Sequence, residues 1–209
     1  MAALCLLLRP ATSYITPKTA FEADASIRYY TKILKIKNLN ELNESQMQQM
    51  EVNAKSIYLA RKAISREKHQ QAEKIYVNLI DRQLERGYEA LDVPAFAATA
   101  LLLALHQQRQ GAKKRARATF NLFFRIASDF YADESEFVHS NPSAEEEFVS
   151  GEVCSARVLQ AFALFESKEH LMHKSEFLIK KAIEFDPSIK SLLKWKVFSE
   201  FDDHNGDDS

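Results

Sequence analysis

Apolar residues recur every three or four positions along most of the chain, the period of a helix with one buried face. The clearest case is Ala72-Glu-Lys-Ile-Tyr-Val-Asn-Leu-Ile80, in which Ala72, Tyr76 and Leu79 share a side. The same phase returns as Ala116, Phe120 and Phe123, and again as Ser175, Ile179 and Ala182. Each copy follows another apolar helix and a polar turn. The pattern predicts helical hairpins over 46–86, 95–128 and 154–187. Hairpins of this kind bury their faces only against one another.

The remaining segments fit around these three. Ile27, Tyr30, Ile33 and Leu34 predict an amphipathic helix over Ala25–Lys37, followed by a polar loop with an N-cap near Asn43 or Ser45. Asp92 caps the next hairpin, with Pro94 in its first turn, and Phe96–Gln107 is apolar almost all round, as a buried central helix would be. The stretch 131–152 carries seven acids and no Lys or Arg, and predicts a solvated insert between hairpins two and three, helical only in part around Ala144–Phe148. Asp186-Pro187 ends the last hairpin, and 188–200 predicts a short helix capping the stack. Trp195 falls at the edge of that cap, as a packing residue or a partner-binding anchor. The tail 201–209 is acidic and expected to be disordered.

Four glycines and five prolines in 209 residues leave little turn punctuation for a sheet, so the fold class is all-α. A net charge of -1 hides a basic block of Lys113, Lys114, Arg115 and Arg117. That block is a solvated face or a patch for RNA or anionic lipid, and the near-neutral whole argues against nucleic acid as the main partner. Cys5 and Cys154 form neither a disulfide framework nor a zinc pattern. Residues 1–24 read as an organellar targeting peptide: the first 21 contain no acid, and Arg9, Lys18 and four hydroxyl residues supply the rest of the pattern. A secretory signal and a frayed terminus are the competing readings. The run Ala2–Leu8 is too short to span a bilayer.

The residues resemble the tetratricopeptide repeat family. Hairpin three is most similar, with Ala163, Ser175 and Ala182 as small contacts before Lys181-Ala-Ile-Glu-Phe-Asp-Pro187. Leu59, Ala60, Ala72, Tyr76 and Leu79 carry the likeness in hairpin one, and Leu103, Ala104, Gly111, Ala116, Phe120 and Phe123 in hairpin two. The family repeats every ~34 residues, whereas Ala72 to Ala116 spans 44 and Ala116 to Ser175 spans 59. The resemblance implies a stack of antiparallel hairpins with a C-terminal cap and a concave first-helix face that accepts a helix or extended peptide. Ile57, Arg61 and Leu102 stand where chaperone-binding members of the family hold a carboxylate, so a carboxylate clamp is not expected. A looser likeness to pentatricopeptide repeats, over Ala72 to Phe96, would imply organellar RNA binding through the basic block.

No phosphate loop, nucleophile elbow or zincin motif is present, and no cofactor or metal is expected. His170 and His173 lie at a turn without cysteine nearby, and Glu145-Glu-Glu147 points its acids in different directions, so both read as surface. The function expected is a non-catalytic interaction module, an assembly factor or accessory subunit of an organellar complex, with membrane association only through that complex. The alternative is a pentatricopeptide-like RNA-binding protein. An uncharged start followed by Thr12–Thr19 favours plastid over mitochondrion, with the cytoplasm as alternative. Tyr58, Arg61, Lys62, Thr99 and Arg157 are the first-helix residues expected to be exposed to a partner, together with Trp195.

Overall fold

A computed structural model describes residues 25–31, 43–87, 91–137, 145–194 and 198. The leader, the acidic tail and Trp195 lie outside them. The described residues are helical throughout: α1 (25–31), α2 Glu44–Ile64, α3 His69–Leu84, α4 Val93–Arg109, α5 Lys113–Phe137, α6 Glu145–Lys168 and α7 Met172–Phe185. A 3₁₀ segment, Pro187–Lys194, follows and packs on α7 where a short cap was predicted. It opens with the Ile189 N–H donating to the Asp186 carbonyl at 3.1 Å, the three-residue backbone bond of a 3₁₀ turn, while Asp186 Oδ1 accepts from the Ser188 N–H at 3.0 Å.

Side chains cap the starts of α2 and α4, whereas α3 and α7 start directly from the hairpin turns without one. Asn43 Oδ1 accepts from the Gln46 N–H while Gln46 Oε1 accepts from the Asn43 N–H, each at 2.9 Å, closing a capping box on α2. Asp92 Oδ1 accepts from the Ala95 N–H at 3.0 Å at the head of α4, with Pro94 in the first turn. α5 and α6 run further than the apolar period suggests, so the acidic stretch 131–152 is largely helix and only 138–144 lies between them.

Helices α2/α3, α4/α5 and α6/α7 pair as hairpins joined by one turn geometry used three times. Glu67, Gly111 and His170 all have left-handed φ, at 59°, 71° and 60°. The residue after each donates its N–H five residues back, to Ala63, Gln107 and Glu166, at 2.9, 2.9 and 3.0 Å. The left-handed residue itself bonds to Ile64, Gln108 or Ser167 at 2.9–3.0 Å, which completes a Schellman motif. Ala60, Ala104 and Ala163 lie twelve residues before Ala72, Ala116 and Ser175, and all six are fully buried. Small side chains at both sites let the paired backbones approach, and Ser175 Oγ donates across the gap to the Ala163 carbonyl at 2.7 Å.

Between hairpins the core is aromatic. Phe120 of α5 stacks on Phe162 of α6 at 4.9 Å, and within the α4/α5 hairpin Phe96 stacks on Phe123 at 5.7 Å. α4 packs directly on α6, and Phe124 of α5 meets Phe177 of α7 edge-on at 6.1 Å, so α4 and α6 form one layer with α5 and α7 behind it. α1 packs on α2: the Arg61 guanidinium lies 3.7 Å from the Tyr29 ring centroid, and Asn53 Nδ2 donates to Tyr30 Oη at 3.2 Å.

Candidate partner-binding face

Polar pairs across the hairpin junctions fix which way the first helices run. At the first junction, Glu73 near the head of α3 meets Arg115 near the head of α5, with Nη1 2.8 and 2.7 Å from its two carboxylate oxygens. Gln107, near the end of α4, donates to the same carboxylate at 2.8 Å and accepts from Thr119 Oγ1 at 2.9 Å. At the second junction, Arg117 of α5 holds Glu166 of α6 through Nε and Nη2 at 2.8–3.1 Å, and Lys174 of α7 adds Nζ at 2.8 Å. These contacts join helix heads on α3, α5 and α7 to helix ends on α4 and α6. All three turns therefore gather at one edge, and α2, α4 and α6 run in the same direction.

The two junctions use equivalent positions. Glu73 and Arg117 directly follow the small residues Ala72 and Ala116, and Arg115 and Lys174 directly precede Ala116 and Ser175. Gln107 and Glu166 are the third residues after Ala104 and Ala163. The charges differ: an anion faces a cation across a neutral amide at the first junction, and two cations flank an anion at the second. Docking hairpin three on hairpin one would set Glu73 against Glu166, a like-charge encounter that disfavours the wrong order.

Glu166 is fully buried. Burial alone would raise its pKa, but the hydrogen bonds from Arg117 and Lys174 outweigh that, and the carboxyl is held below its ordinary range. The same contact raises Arg117 further. Lys113 also pairs with Glu169 at 2.7 Å. Three of the four cations in the basic block are thus spent between hairpins, leaving Lys114 as the fourth, an exposed side chain.

The first-helix layer presents a different chemistry. α4 is enclosed by α3, α5 and α6, so only one stripe reaches solvent, through Leu101, Leu102 and Leu105. On α6 the corresponding half-buried residues include Arg157, Ala161 and Leu164. Arg109 and Lys168, the last residues of the two helices, stand exposed at the turn edge. The arrangement is an apolar strip with a cationic end.

Of the predicted contact residues, Arg61 is exposed and Tyr58, Lys62 and Arg157 are half-buried. Arg61 is stacked on Tyr29, and Lys62 Nζ lies 5.8 Å from the Tyr58 ring centroid. Thr99 requires correction: it is 0% exposed, and its hydroxyl donates to the Ala95 carbonyl at 2.7 Å. It sits about 200° round α4 from Leu101 and points into the bundle. The three leucines of α4 were missed because a helix apolar on all sides gives no phase from which to choose an outer stripe. Their signal was negative, in that α4 contains no Asp or Glu.

His106 is buried, with Nε2 3.3 Å from the His69 carbonyl, and its ring lies 5.5 Å from that of His69. Tyr76 lies beside it, its pKa pushed up to about 12 by burial and by Tyr29, against the opposing pull of Arg61 and Arg109. Among the described residues no group of three or more His, Cys, Asp or Glu is placed to hold a metal, and no helix is long and apolar enough to cross a membrane. In comparisons with known proteins, no family model, no curated protein and no solved structure matches the chain.

Proposed function

We propose that this chain is a non-catalytic protein-interaction module, built as a stack of tetratricopeptide-like hairpins whose first helices form the receiving face. The observation that carries the reading is the pairing of a threefold-repeated hairpin with an unfilled apolar strip. One Schellman turn and one small-residue contact recur at Glu67, Gly111 and His170, while Leu101, Leu105 and Leu164 reach solvent on the first-helix side. Repeat stacks use such faces for other proteins. The internal pairing of Lys113, Arg115 and Arg117 favours a protein over an RNA as the occupant.

In this reading the protein serves as an assembly factor or accessory subunit of an organellar complex. The acid-free leader and its hydroxyl-rich second half support an organelle, and a plastid before a mitochondrion. The test is recovery of the tagged chain from its native cells at gentle salt, with protein mass spectrometry and RNA sequencing on the same eluate. Subunits of one organellar complex, lost when Leu105 and Leu164 are changed to Glu in a chain that still folds, are the expected result. RNA without a stable protein partner refutes the proposal.

A further inference from the structure

Resting on the interaction-module reading, we infer that the α4–α6 face takes an acidic amphipathic helix, seated lengthwise with its most acidic end at the turn edge. Backbone accounting selects the helix. An extended peptide laid on the strip must find partners for its own N–H and C=O groups. The strip offers leucines, with Gln108, Gln160 and Ser167 as its neutral polar neighbours. A helix satisfies its backbone internally and needs only an apolar stripe. Two helices packed side by side at about 8–10 Å form the groove into which a third such stripe fits.

Charge selects the sign. α4 has no Asp or Glu over its whole length, and its one Lys or Arg is the exposed Arg109 at the turn edge. On α6 from Ser155 to Lys168, the half that reaches the turn edge, the single acid is Glu166, which is buried and held by Arg117 and Lys174. Lys168 ends that helix at the same edge as Arg109, and Arg61 stands near the end of α2. The nearest acid in the adjoining turn, Glu169, is already paired with Lys113. A partner helix carrying Asp or Glu toward this edge meets cations; one carrying Lys or Arg meets like charge next to a desolvated strip.

The experiment selects binders from a display library of helices about 18 residues long, five turns, each with a fixed leucine stripe and polar positions free to be Glu, Lys, Gln or Ser. The full chain is the target, with the Arg109→Glu/Lys168→Glu double variant and the Leu105→Glu variant as counter-targets. The expected result is an enriched pool of net negative charge, with acids concentrated toward one end. Its members should bind the charge-reversed variant about tenfold or more weakly and be abolished by Leu105→Glu. Circular dichroism of both variants must overlay the parent. A neutral or basic pool, affinities indifferent to either variant, or no enrichment overturns the inference. If cell-derived partners still bind in any of those cases, the interaction module stands and only the class of its ligand is wrong.

Discussion

Replacing Glu166 by Gln removes one negative charge from the second hairpin junction while keeping shape. Both carboxylate oxygens are engaged by Arg117 and Lys174, and Glu166 has no solvent exposure. Removing one partner of a fully buried pair costs about 3–5 kcal/mol. Here the stranded cations retain partial access to water, 31% for Arg117 and 38% for Lys174, which lowers the expected loss to about 2–3 kcal/mol. The equivalent break at the first junction, Glu73→Gln, leaves Arg115 61% exposed and should cost about 0.5–1 kcal/mol. Urea unfolding followed by circular dichroism measures both. The difference also has a pH signature. The folded pKa of Glu166 lies below the ordinary 4.5, so its stabilisation is complete above that value and is lost as pH falls through the folded pKa. The gap between parent and Glu166→Gln should therefore close in acid. A loss at neutral pH below about 0.5 kcal/mol, a loss equal to that of Glu73→Gln, or a gap independent of pH would refute the assignment of Glu166 as the inter-hairpin anchor.

Opposite changes at two equivalent turn positions should have opposite effects. Glu67→Gly should stabilise by about 0.5–1 kcal/mol because a side chain at φ 59° is strained, and Gly111→Ala at φ 71° should destabilise by about 1 kcal/mol; thermal melts read both. At the head of α4, Asp92→Ala should cost about 1 kcal/mol for the lost cap. Asp92→Asn should match or exceed the parent at pH 7, because burial raises the Asp92 pKa against the lowering by the Ala95 amide and Arg86; it therefore disfavours the charged form as pH rises. Denaturant midpoints at pH 4 and 7 distinguish these outcomes. Leu105→Glu should cost about 1 kcal/mol because the side chain already reaches solvent, whereas buried Leu103→Ala should cost about 2–4 kcal/mol. Similar losses in the two would mean that the strip belongs to the core.

Helical class and hairpin phase were legible because they depend on contacts close in sequence. Tyr76, Phe120 and Ile179 declare a buried face through their spacing from a small residue, and Asn43 and Asp92 declare helix starts through groups three residues away. The reach of α5 and α6 into the acidic stretch was hidden because charged residues also form good helices, and a solvated turn of helix leaves no apolar period to read. The basic block shows the division most plainly. Lys113, Arg115 and Arg117 are adjacent in sequence, yet their partners lie 56, 42 and 49 residues away, at Glu169, Glu73 and Glu166. A sequence shows how many charges it carries; only the packing of one hairpin on the next decides which of them meet. The same holds for α4, where Thr99 and Leu101 are two residues apart and one is sealed while the other is wet. Local spacing determined that α4 is a helix, and its neighbours on three sides determined which stripe of it was left for a partner.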